Sequence, residues 1–133
     1  MYMSISQRMA STYKKVGVES RVESASPHEL ITLLFEGLLD TLSAAKVHMA
    51  AGNIPAKSQA ISKATRIITE GLKGSLDTKG GELTENLSML YDYCVGCLMQ
   101  AHLKNDATQI DEVIGLLGPV AETWKNMNTH NTL

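Results

Sequence analysis

The sequence predicts an all-α fold: an antiparallel up-and-down four-helix bundle with an additional short N-terminal helix or mobile segment. Three observations carry that expectation. Apolar residues recur at helical spacing in four long stretches, the pattern of one buried helix face. No stretch alternates apolar and polar residues as a half-buried strand does. Helix-starting and helix-stopping residues separate the four stretches at short intervals, which favours antiparallel neighbours.

Residues 1–25 stand apart as a mobile segment with a weak amphipathic helix. Ile5, Met9 and Tyr13 fall four residues apart and would share one helix face. Gly17 and the run Ser24-Ala25-Ser26 oppose its continuation. Arg8, Lys14, Lys15 and Arg21 against Glu19 and Glu23 leave the segment at +2.

The bundle is expected over residues 26–127. Ser26-Pro27-His28-Glu29 reads as an N-cap serine, proline at the first helical position and glutamate three residues past the cap. In such a capping box the two side chains satisfy otherwise orphaned N–H groups. Leu30, Leu34, Leu38, Leu42, Ala45 and Met49 then form the inner line, and Gly52-Asn53 ends the helix. A second helix is expected from near Pro55 to about Leu76 on Ala60, Ala64, Ile67, Ile68 and Leu72. It is otherwise thin, with Ala56, Ser58, Ser62, Gly71, Gly74 and Ser75, and carries +3 (Lys57, Lys63, Arg66 and Lys73 against Glu70). Asp77 to Gly81 reads as a loop with two glycines available for positive φ.

A third helix is expected from Glu82 through Leu83, Leu87, Leu90, Cys94, Leu98 and Ala101 to about Asn105. Asp106 would cap a fourth, carrying Ile110, Val113, Ile114, Leu117, Val120 and Trp124, with a kink or break at Gly118-Pro119. Residues 128–133 are expected to form a disordered tail. The first and third helices carry −2 each and flank the +3 helix, which weakly favours their adjacency.

Composition narrows the function. The chain has 133 residues, of which 44% are hydrophobic, 5% aromatic and 20% charged, with a formal net charge of −2. One domain is expected at this length. Twelve Lys and Arg against 14 Asp and Glu argue against nucleic acid as a partner, and the +3 helix is expected to be a solvated face. No apolar run approaches the roughly 20 residues of a membrane span, and no secretory signal is read at the N-terminus. Two cysteines without such a signal suggest a reducing, cytoplasmic setting.

Candidate chemistry is thin. Cys94-Val95-Gly96-Cys97 has the spacing of a redox pair or half a zinc site. It falls inside a helix on its apolar stripe, however, and no second pair completes a metal set. A helical-bundle redox or metal protein using Cys94 and Cys97 is therefore the alternative, and buried, inert thiols are the expectation. His28, His48, His102 and His130 show no ligand-like spacing, and no cofactor or catalytic residue is expected. The small-residue second helix leaves grooves beside it, while the methionines and the amphipathic N-terminus suit a surface that repacks around an apolar ligand. An interaction module follows.

The residues then become specific. Ser24-Ala25-Ser26-Pro27-His28-Glu29-Leu30 and Leu34-Phe35-Glu36-Gly37 resemble the opening of the FliS family of flagellin export chaperones. In order there follow Leu76-Asp77, Gly80-Gly81-Glu82, Asn86-Leu87, Leu90-Tyr91-Asp92-Tyr93, Leu103-Lys104-Asn105-Asp106, Glu112-Val113, Leu116-Leu117 and Trp124. The resemblance spans about Tyr13 to Lys125. Departures are a shorter loop before Gly80, His102 where asparagine is usual, the two cysteines, and Pro119 inside the last helix.

The resemblance implies a cytoplasmic chaperone that binds the disordered C-terminal segment of flagellin, prevents premature polymerisation and keeps it competent for the flagellar export gate. It implies no enzyme activity. An anti-sigma factor as regulatory partner and a homodimer are compatible with it. The N-terminal segment would cover part of the binding groove and move on binding, with Tyr13 foremost and Ala10 and Val16 beside it. Further partner-binding candidates are Ile61, Ile68, Leu72, Leu87 and Tyr91.

Overall fold

The computed structural model describes residues 25–131, and within them the chain is entirely helical. Helix α1 spans Pro27–Ala50, α2 Ile54–Arg66, α3 Gly81–Lys104 and α4 Ala107–Asn131. The expected segment 1–25 lies, save for Ala25, outside the described residues.

Local chemistry explains each boundary. The Ser26 hydroxyl accepts from the Glu29 N–H, and the Glu29 carboxylate accepts from the Ser26 N–H, so the capping box forms as expected. At the other end Gly52 takes φ +71°, the Gly52 N–H reaches the Met49 carbonyl and the Asn53 N–H that of His48. This closure satisfies two carbonyls the helix would leave open. Asn53 then caps α2, accepting from the Ala56 N–H at 3.2 Å. The Asp106 carboxylate accepts from the Thr108 N–H at 3.0 Å at the start of α4. Gly81 alone of the loop glycines takes a positive φ, +64°.

The core is the inner line of α1. Leu34, Leu38, Leu42 and Ala45 are fully buried, and Ile67, Ile68, Leu98, Ile110, Val113 and Leu117 close on them from the other elements. The Lys46–Asp111 pair (2.5 Å) and the reciprocal contacts of His28 with Trp124 join opposite ends of α1 and α4, so these helices run antiparallel. Lys73 meets Asp92 at 2.6 Å, tying the positive second helix to the negative third. These pairs are exposed and orient more than they stabilise.

Two local findings depart from expectation. The second helix is not uniform: beyond Arg66 it widens into a π-helical stretch, Ile67–Leu72, and tightens into a 3-10 turn, Lys73–Ser75. Thr65, Thr69 and Ser75 each donate to the carbonyl four residues back, a habit that bends helices. Gly71 lets this stretch lie against α1, since a Cβ there would meet the Leu34 methyls at 2.9 and 3.1 Å. Lys57, read as part of a solvated face, is instead buried. Its amine donates to the His102 carbonyl (3.3 Å) and to Asn105 Oδ1 (3.1 Å), placing a cation at the C-terminus of α3.

Of the kink or break expected at Gly118-Pro119, the break does not occur: α4 continues through Pro119 to Asn131. A proline inside a helix removes one backbone hydrogen bond and costs about 3 kcal/mol, so the packing of α4 on both sides must offset it. In urea titrations, Leu38→Ala should lose about 2–5 kcal/mol of stability and Ser26→Ala about 1 kcal/mol.

Candidate functional site

Where the four helices meet at one end, they do not close. A groove of about 620 Å³ opens there, lined mainly by apolar side chains, with His28, Ser75, Asp77 and Thr123 among them. Helix α1 supplies Ile31 and Phe35 beside Pro27 and His28; the end of the second helix supplies Leu72, Ser75 and Leu76. Helix α3 supplies Leu83, Leu87 and Tyr91, and α4 supplies Pro119, Val120, Thr123, Trp124 and Met127. The long walls each run for nine residues (27–35, 83–91 and 119–127), or about 12 Å from first to last at a rise of 1.5 Å per residue. Leu83, on the inner seam of α3, lines this groove and is 69% exposed.

His28 and Trp124 hold one edge. Their rings stack with centroids 4.8 Å apart and planes 11° from parallel. The Trp124 Nε1–H donates to the His28 carbonyl (3.1 Å), and the Trp124 carbonyl accepts from His28 Nε2 at 2.7 Å. Since a carbonyl cannot donate, the proton sits on Nε2. Tyr91 is 3% exposed, and burial, followed by the nearby Cys94, pushes its hydroxyl pKa up to about 12. Its ring therefore serves as apolar surface at physiological pH.

Of the residues singled out in the sequence, Leu72, Leu87 and Tyr91 come together in this groove. Ile61 lies in a second, smaller one of about 230 Å³ between α2 and α3, with Ser58, Ser62, Thr65, Val95, Met99 and His102. Ile68 is fully buried in the core and lines neither. Ala10, Tyr13 and Val16 lie outside the described residues. The groove also draws on Leu83, Val120 and Trp124, which the sequence presented as inner-line positions, and on Phe35 and Leu76, which it presented only within the family motifs. The signal that could have separated them is the mismatch at the ends of α3 and α4, where seam residues lack a facing partner.

Cys94 and Cys97 are free and buried. Burial, then the neighbouring Cys97 and Glu112, pushes the Cys94 thiol up to about 12, so it is not the thiolate that redox or metal chemistry requires. Among the described residues no three His, Cys, Asp or Glu side chains gather as a metal site, and no helix is long and apolar enough to cross a membrane.

The chain is similar in sequence to known proteins of one family. The family described as flagellar protein FliS matches residues 9–131. The chain is 51% identical over 117 residues to the flagellar secretion chaperone FliS of Salmonella typhimurium, covering 87% of each chain. It is 45% identical over 114 residues to that of Escherichia coli, covering 85% of this chain and 84% of the relative. With that of Bacillus subtilis it shares 31% over 107 residues, 80% of this chain and 79% of the relative.

The raised pKa values have a sign that can be measured. Cys94 rises from 9.0 and Tyr91 from 10.0, each to about 12 in the folded chain. Above pH 9 the unfolded chain binds fewer protons than the folded one, so stability falls with rising pH. Urea midpoints should be unaffected by these two groups up to about pH 8 and drop from pH 9 upward, less steeply in Cys94→Ala. Ellman's reagent at neutral pH should label neither thiol until the chain is unfolded.

Proposed function

The chain belongs to the FliS family, and from that premise we propose that it is a cytoplasmic export chaperone for flagellin. It binds the disordered C-terminal segment of flagellin, prevents premature polymerisation and delivers the subunit in a competent state to the flagellar export gate. The observation that carries this reading is the open apolar groove at the end of the bundle. Its walls fit about two turns of an added amphipathic helix, whose apolar side chains at i, i+3 or i+4 and i+7 would face Phe35, Leu72, Leu87 and Tyr91. Folding of a disordered segment on binding costs several kcal/mol, which a long apolar contact must exceed. The thin α2 face around Ile61 extends the surface available to a wrapping chain.

The chain's own N-terminal segment is a natural competitor. Ile5, Met9 and Tyr13 span nine residues, as each groove wall does. In this reading the segment covers the groove at rest, moves when flagellin arrives, and then contributes Tyr13, with Ala10 and Val16, to the complex. Ile68 contributes from within, by holding the π-helical stretch against the core.

Calorimetry with a peptide of the cognate flagellin C-terminus should give a 1:1 complex, accompanied by a change in the emission of Trp124, the chain's one tryptophan. Leu87→Ser should weaken binding at least tenfold, and Tyr13→Ala several-fold. An absence of heat and of any emission change at micromolar concentrations would remove the proposal.

A further inference from the structure

We propose that the C-terminal half of α4, from Val120 to Met127, is a hinged wall of the large groove, pivoting at Gly118-Pro119 and latched to α1 by the His28–Trp124 pair. The wall's use, admitting occupants of different bulk, rests on the chaperone reading; the hinge itself does not.

The joint is weak by construction. Pro119 has no N–H, so the helical bond to the Gly115 carbonyl is missing within an otherwise continuous helix. Gly115 and Gly118 sit beside it, and a Cβ on either would find nothing within 4 Å. Packing therefore does not require glycine there, in contrast with Gly71 against Leu34. What these glycines supply is backbone freedom next to a missing hydrogen bond.

The two halves of α4 are held differently. Before the joint, Ile110, Val113 and Leu117 are fully buried, with Asp111 paired to Lys46 and Glu112 reached by the Tyr93 hydroxyl. After it, Val120, Ala121 and Trp124 are only partly buried. Among the described residues, the hydrogen bonds joining Val120–Met127 to another helix are the two between His28 and Trp124. One stacked, doubly bonded pair thus fixes a wall segment that carries Val120, Thr123, Trp124 and Met127 on the groove. Releasing that pair frees the wall, while the buried half stays in the core.

Hydrogen exchange on the full chain tests this without a partner. His28→Leu removes the latch's ring donor and should speed exchange of amides 120–127 at least tenfold, leaving 108–114 unchanged. Trp124→Phe, which keeps an aromatic ring but loses the indole donor, should give a smaller rise in the same segment. Gly118→Ala combined with Pro119→Ala should lower the ratio of exchange rates between 120–127 and 108–114 at least fivefold. Equal acceleration of both halves in His28→Leu would mean that α4 opens as one piece, and an unchanged ratio in the alanine variant would mean that the joint is no pivot. Either result overturns the proposal. Failure of the flagellin peptide to bind the unaltered chain would strike the chaperone reading and leave the exchange pattern standing.

Discussion

Everything in this bundle depends on burying one stripe of α1. Leu34, Leu38, Leu42 and Ala45 lose all contact with water only because three other elements press on them at once. A close-packed interior tolerates few voids, so each partner is shaped to that stripe. The second helix widens at Ile67–Leu72 and drops its side chain at Gly71 to reach Leu34. Helix α3 brings Leu98 and Ala101, and α4 brings Ile110, Val113 and Leu117. The stripe is complete from Leu30 to Met49, and the helices around it are longer than the part they share.

A groove remains where the first turns of α1 and α3 and the last turns of α4 face one another. From Leu83 to Tyr91 on α3 and from Pro119 to Met127 on α4, the facing side chains are mainly apolar. Apolar surface left facing water is unfavourable by about 25 cal/mol per Å². A chain that keeps such a surface open retains, at some cost to its own stability, a driving force for taking up another helix. The polar atoms at the edge are satisfied by one another through His28 and Trp124, so the interior of the groove presents little that an apolar side chain would have to dehydrate.

Much of the fold was legible in the residues because its signals are local. The capping box at Ser26-Glu29, the glycine closure at Gly52 and the Asp106 cap each depend on a few neighbouring positions. The inner line of α1 follows from spacing alone, as do Ala64, Ile67 and Ile68, Cys94, Leu98 and Ala101, and Ile110, Val113 and Leu117 on the others. The features that were not legible are those set by distant partners. Lys57 looked like a surface charge because its acceptors, His102 and Asn105, lie on another helix. The π-helical stretch lies where Gly71 approaches Leu34, a residue of another helix. Leu72 could be picked out on the thin second helix and Leu87 and Tyr91 on the third, yet their meeting in one groove required the relative placement of two elements. Ile68, chosen on the same grounds, proved to lie wholly inside.

The contact between Gly71 and Leu34 has a consequence for how such a sequence can change through descent. A methyl group at position 71 would lie 2.9 Å from a side-chain carbon that is itself fully enclosed. Enlargement at 71 therefore requires the Leu34 methyls to move or to be lost, while reduction at 34 alone opens a hole beneath the glycine. The two positions, 37 residues apart, are thus coupled: bulk added at one is accommodated most readily by bulk given up at the other.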